Sequence, residues 1–154
     1  MLEDNILREI GALTRTIHAI IEITFKPLNL QKGQSIYLAR ICEAPGISMK
    51  ELCQLLMVDK TATSKVIKKL IGEGLVEKEQ DASDKRAYKL FPTQRAKEAY
   101  QTIIDEENRL TRQCYEGLDA GEKEVLKILI RKMRKNIEDD WLELKRYKPA
   151  EPAK

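Results

Sequence analysis

A chain of 154 residues is sized for one compact domain, or one domain with helical extensions, and leaves little room for a second independent fold. Hydrophobic residues make up 42% and charged residues 34%, while aromatics reach only 5%, a globular and mostly helical balance that excludes extensive disorder. With 28 basic against 25 acidic side chains, the formal charge of +3 does not by itself announce a nucleic-acid binder, so any such signal must be local.

Apolar residues at Ile6, Ile10, Leu13, Ile17, Ile20, Ile21 and Phe25 recur at helical spacing and predict a long amphipathic helix ending before Pro27. Its stripe needs a partner. Ile36, Tyr37, Leu38, Ile41 and Cys42 predict a second helix, closed by Pro45-Gly46. Ser48-Met49-Lys50-Glu51 is a capping-box pattern and opens a short helix through about Leu56. Met57-Val58-Asp59 then makes a tight link, with Asp59 as N-cap of a helix from Lys60 to about Gly72. Two short helices joined this closely form the helix-turn-helix pattern. Residues 75–79 and 86–91 read as strands around the polar segment 80–85, a hairpin with a medium-length loop. Pro92 and Thr93 stop the second strand. Helices are expected over 94–117 and 121–147, the last with Val125, Ile128, Leu129, Met133, Ile137 and Leu144 on one face, followed by a polar, frayed tail at 148–154.

No apolar run approaches the roughly 18 to 20 residues of a membrane span, and the acids near the N-terminus do not suit a signal peptide, so a cytoplasmic protein without membrane contact is expected. Cys42, Cys53 and Cys114, odd in number and far apart, do not form a disulfide framework and read as small buried hydrophobes. The single histidine, His18, leaves no zinc-ligand cluster and little scope for proton transfer. With no Ser/His/Asp set and no phosphate loop either, neither a metal, a cofactor nor an enzymatic activity is expected.

On the helix from Lys60, stepping 100° per residue gathers Thr61, Ser64, Lys65 and Lys68 on one face and Ala62, Thr63, Val66 and Leu70 on the other, with Ile67 and Ile71 flanking the apolar side. Lysine reaches guanine acceptors or phosphates, and Ser and Thr contact phosphates or base edges, so the polar face suits a DNA major groove. Lys60 in the first turn and Lys69 at the edge of that face are placed for phosphates. In an isolated helix such a face is simply solvated; the capped helix before it and the basic hairpin tip after it change the weighting. That tip carries Asp84-Lys85-Arg86, where a carboxylate two residues before an arginine can fix the guanidinium's direction toward a negative minor groove. The alternative for that pair is a plain surface ion pair.

These segments resemble the MarR family of bacterial transcriptional regulators. The likeness lies in residues 58–65, in Leu70-Ile71-Gly72-Glu73-Gly74-Leu75-Val76, and in the wing from Asp81 through Arg86 to Thr93, at family spacing. It implies a mainly α fold with a small β-wing: a winged helix-turn-helix lobe at 31–93, flanked by dimerisation helices at 1–30 and 94–147. It further implies a homodimer on double-stranded DNA, a pseudo-palindromic operator, the helix after Asp59 in the major groove, Arg86 in the minor groove and Asp84 holding Arg86. Two departures stand out: Met57 where the family often has glycine, and residues 91–96 in place of a common Leu-Thr-x-x-Gly stretch.

Family members commonly release DNA when a small anionic or phenolic effector binds, or when a cysteine is oxidised. His18, Phe25, Tyr37 and Arg40 are the candidates to line an effector cleft, with packing or plain surface as the alternative for each. The leading expectation is a ligand-responsive repressor; the alternative is a winged-helix scaffold for protein interaction, in keeping with Glu77, Glu79 and Asp81 beside the wing.

Overall fold

The computed structural model describes residues 4–30 and 33–146. In chain order these form α1 (Ile6–Thr24), a 3-10 turn (Lys26–Leu28), α2 (Gln34–Glu43), β1 (Ile47–Ser48), α3 (Met49–Leu56), α4 (Lys60–Gly72), β2 (Val76–Gln80), β3 (Tyr88–Pro92), α5 (Gln94–Cys114), α6 (Ala120–Asn136) and α7 (Glu138–Arg146). The tail expected to fray, and Tyr147 at the expected end of the last helix, lie outside the described residues. Two compact units meet at Thr111/Arg112.

The first unit is organised around side chains that leave water from almost every element: Phe25, Leu38 and Ile41, Leu52, Ile67 and Leu70, Val76, Leu90, and Ala96 and Ile103. Burial on that scale, at about 25 cal/mol per Å² of apolar surface, is what fixes three short helices against a small sheet. Pro27 ends α1 by entering the 3-10 turn, where its missing N–H costs nothing. The end of α1 is tied to α5 by Thr24, whose hydroxyl donates to Glu106 Oε1 at 3.3 Å. Arg109 grips the same nearly buried carboxylate through two nitrogens, which holds its pKa below the usual range.

Gly46, at φ +89°, turns the chain after α2 and donates to Leu90 O at 2.8 Å, starting a strand. This two-residue β1 was not expected; it pairs with β3 and completes an antiparallel sheet of order β1-β3-β2. The hairpin strands are each shifted from expectation, to 76–80 and 88–92, because Arg86 and Ala87 are drawn into the loop: Ala87 donates to Asp84 O and accepts from Asp81 N–H, both at 2.9 Å. Pro92 therefore belongs to β3 rather than ending it. Thr93 N–H bonds Leu75 O at 3.1 Å, so by antiparallel alternation the adjoining Val76 and Pro92 form a pair without ladder bonds, and proline loses no partner there.

After the sheet, Thr93 joins α4 to α5. Its hydroxyl donates to Gly74 O at 2.9 Å and accepts from Ala96 N–H at 3.2 Å, and Arg95 donates to Glu73 O at 3.0 Å. Ala96 is fully buried, with the Cys42 thiol 3.8 Å from its carbonyl oxygen, which explains a small residue in that place.

In the second unit, helix limits differ from expectation. α5 stops at Cys114 rather than Gly117, and Gly117 takes φ +81° in the turn that follows. α6 starts at Ala120 because Asp119 and Glu122 form a full capping box, Asp119 Oδ1 accepting from Glu122 N–H and Glu122 Oε2 from Asp119 N–H, both at 2.9 Å. The single helix expected over 121–147 is instead two, because at Ile137 the N–H turns to Arg134 O in 3-10 fashion. Basic Arg134 and Lys135 before the break and acidic Glu138, Asp139 and Asp140 after it suit a helix end followed by a helix start.

Neither α1 nor α6 has a buried side chain. Leu7, Leu13 and Ile23 on α1, and Val125, Ile128 and Leu129 on α6, are each half or more exposed.

Candidate nucleic-acid interface

The helix-turn-helix is set by local chemistry at three points. At the start of α3, Ser48 Oγ accepts from Glu51 N–H at 3.2 Å and Glu51 Oε2 accepts from Ser48 N–H at 2.8 Å, the expected capping box. These bonds to Ser48 hold the Glu51 carboxyl below its ordinary pKa. At the end of α3, Met57 adopts φ +55°, with Val58 N–H on Cys53 O and Met57 N–H on Gln54 O. That is a Schellman cap, and it explains why a glycine suits this position. At the start of α4, Asp59 Oδ2 accepts from Thr61 N–H at 3.0 Å and Ala62 N–H at 3.1 Å.

Thus anchored, α4 turns Thr63, Ile67 and Leu70 into the core, and Thr63 satisfies its hydroxyl on Asp59 O at 2.8 Å. Ala62, expected on the apolar side, is exposed, since it sits at the margin of that arc; Ile67, expected as a flank, is buried. Lys60, Thr61, Ser64, Lys65 and Lys68 all face outward and line one shallow depression of about 350 Å³. Lys69 is exposed beside them. The helix holds four lysines and no acid, and Lys60, Lys65 and Lys68 have no ion-pair partner among the described residues. A charge concentration that the whole-chain value of +3 conceals is therefore left open to an anionic partner.

The wing presents Lys85 and Arg86 on an exposed loop. Asp84 does hold Arg86, but through the main chain: its Oδ1 accepts from Arg86 N–H at 2.9 Å, and no ion pair joins the carboxylate to the guanidinium among the described residues. Asp81 does more in this loop than the sequence indicated. Its Oδ1 accepts from Ser83 N–H at 2.7 Å, Ser83 Oγ at 2.6 Å and Asp84 N–H at 3.3 Å, while Oδ2 lies 3.5 Å from Lys89 Nζ. The bonds from Ser83 lead in holding its pKa down to about 2. The signal was an Asp with Ser two residues on, an Asx-turn pattern.

The four effector-cleft candidates are spread out. Phe25 and Tyr37 are built into the core, His18 is on an exposed face of α1, and Arg40 is partly buried in an ion pair with Glu43. Glu43 also accepts from the Tyr100 hydroxyl at 3.1 Å, linking α2 to α5. Of the cysteines, Cys42 and Cys53 are half-buried, but Cys114 is exposed, because it follows Leu110, the last buried residue of α5. Burial pushes the Cys42 thiol up to about 11. No group of three or more potential metal ligands occurs among the described residues, and none of their helices is long and apolar enough to cross a membrane.

A family profile described as the MarR family matches residues 27–87. Beyond that segment, an uncharacterised HTH-type transcriptional regulator, YybA of Bacillus subtilis, is 41% identical over 138 residues, covering 90% of this chain and 92% of its own. The chain belongs to the MarR family. A solved MarR protein from Peptoclostridium difficile is 48% identical and covers 94% of each chain with a TM-score of 0.90. A MarR-family transcriptional regulator from Listeria monocytogenes, complexed with 26mer DNA, is 38% identical, with a TM-score of 0.92 over 98% of this chain and 100% of that one. The winged helix-turn-helix is accordingly that of a MarR-family DNA-binding transcriptional regulator, a non-enzymatic class.

Proposed function

We propose that this MarR-family chain is a homodimeric repressor that binds a pseudo-palindromic operator and is controlled by an effector. The observation that carries the reading is the α4 face, where Lys60, Thr61, Ser64, Lys65 and Lys68 surround one depression without a neighbouring acid in the helix. In a major groove, Thr61, Ser64, Lys65 and Lys68 meet base edges and phosphates, while Lys60 and Lys69 meet phosphates. Lys85 and Arg86 approach from the wing, Arg86 toward the minor groove. The uncovered apolar residues of α1 and α6 support a second copy as partner, and two-fold symmetry then sets half-sites about 34–36 Å apart.

His18 and Arg40 remain accessible to a small anionic effector, whereas Phe25 and Tyr37 would contribute only if the core around them opened. The test is retardation of a fragment from the gene's own upstream region across a salt series. Specific binding that weakens steeply with salt is expected; binding indifferent to sequence or to salt overturns the operator assignment.

A further inference from the structure

Arg86 is useful to DNA only if its backbone leaves the wing on a fixed path, and Asp81 is the residue on which that path closes. Three donors, Ser83 N–H, Ser83 Oγ and Asp84 N–H, converge on one oxygen of Asp81, at 2.7, 2.6 and 3.3 Å. Asp84, so placed, receives Arg86 N–H on its own carboxylate and gives its carbonyl to Ala87 N–H, each at 2.9 Å. The loop is closed at its base by Asp81 N–H on Ala87 O at 2.9 Å and by Gln80 Nε2 on Lys85 O at 2.6 Å. Apart from the Ser83 hydroxyl, every link from Asp81 to Arg86 is made by a backbone group, so the guanidinium is left open while its anchor is held.

We propose that Asp81 is a positioning residue for DNA recognition, acting through the turn it closes to fix where Lys85 and Arg86 leave the wing. The proposal rests on the operator reading above and adds a residue that touches no DNA in it. Its physical signature is the sign of its effect. Asp81 is an anion on a loop that meets a polyanion, so removing its charge alone strengthens binding. Removing its acceptor frees the turn and weakens binding. Asparagine keeps the Oδ1 acceptor and loses the charge; alanine loses both.

The experiment measures operator affinity at fixed salt for the full chain, for Asp81→Asn, Asp81→Ala and Arg86→Ala, and for the double variant Asp81→Ala/Arg86→Ala, with amide exchange of residues 83–87 read in parallel. Asp81→Asn is expected to bind as well as the unaltered chain or better. Asp81→Ala is expected to lose about tenfold or more, close to the loss for Arg86→Ala, and the double variant to lose clearly less than the two single losses combined. Amide exchange of residues 83, 84 and 86 should quicken in Asp81→Ala and not in Asp81→Asn. Tighter binding by both single Asp81 variants, or losses that simply add in the double variant, overturns the proposal. If the unaltered chain shows no specific binding, the operator reading fails instead, and the exchange data still decide whether Asp81 closes the turn. Thermal melts of all variants separate a local effect from loss of fold.

Discussion

Met57 holds a left-handed conformation that costs a side chain roughly 1–2 kcal/mol relative to glycine. Met57→Gly should therefore stabilise the chain by about 1 kcal/mol, less whatever contact its half-buried side chain makes, seen as a higher urea midpoint. Sequence comparison with the family pattern flagged this residue, but only the backbone angle gives the flag an energy. Asp84 illustrates the opposite limit: a carboxylate two residues before an arginine can meet either its side chain or its N–H, and spacing cannot distinguish them. Arg86→Ala should weaken operator binding about tenfold or more while leaving helicity and assembly unchanged, as gel retardation, circular dichroism and ultracentrifugation would report. A carboxyl whose folded pKa is depressed contributes stability above its unfolded value and loses it as pH falls through the folded one. For Asp81 that window runs from about 4 down to about 2, so wing amide shifts should stay constant until the pH drops below the ordinary carboxylate range. Cys42, with its thiol raised to about 11, is protonated at neutral pH. Mild peroxide should modify the exposed Cys114 first and leave Cys42 intact, as peptide mass spectrometry would detect.

Among elements, α4 was the most legible, because its Asp59 cap, its polar arc and its apolar arc all point to the same helix. Reversing charge at both Lys65 and Lys68 should lower the slope of log affinity against log salt by about 2 if each neutralises a phosphate. A protein-interaction scaffold would show no such change. β1 escaped because two residues carry no alternation; its existence is decided by Leu90 across the sheet. The wing strands were found but misplaced, since the bonds that pull Arg86 and Ala87 into the loop come from Asp84 and Asp81, not from strand propensity. The break at Ile137 was missed because apolar spacing continues through it, although the change from basic to acidic residues marks it.

At the scale of the whole molecule, the apolar stripes on α1 and α6 are legible in the sequence, since helical spacing records a face whether or not it is covered. What covers it is not. If a second copy covers this face, as proposed, Ile128→Glu should shift the protein toward monomer in sedimentation and weaken operator binding without altering α4, because a charge would then have to enter an apolar interface. One junction inside the first unit bears on the proposed control by an effector. Thr93 and Arg95 bind the carbonyls of Glu73, Gly74 and Leu75, so the end of α4 and the beginning of α5 are riveted together. With that rivet in place, α4 cannot swivel on its own axis without dragging the start of α5. Under the proposed operator reading, a signal that reorients α5 near Thr93 would thus reach α4 by leverage, with no contact to any side chain of its lysine face.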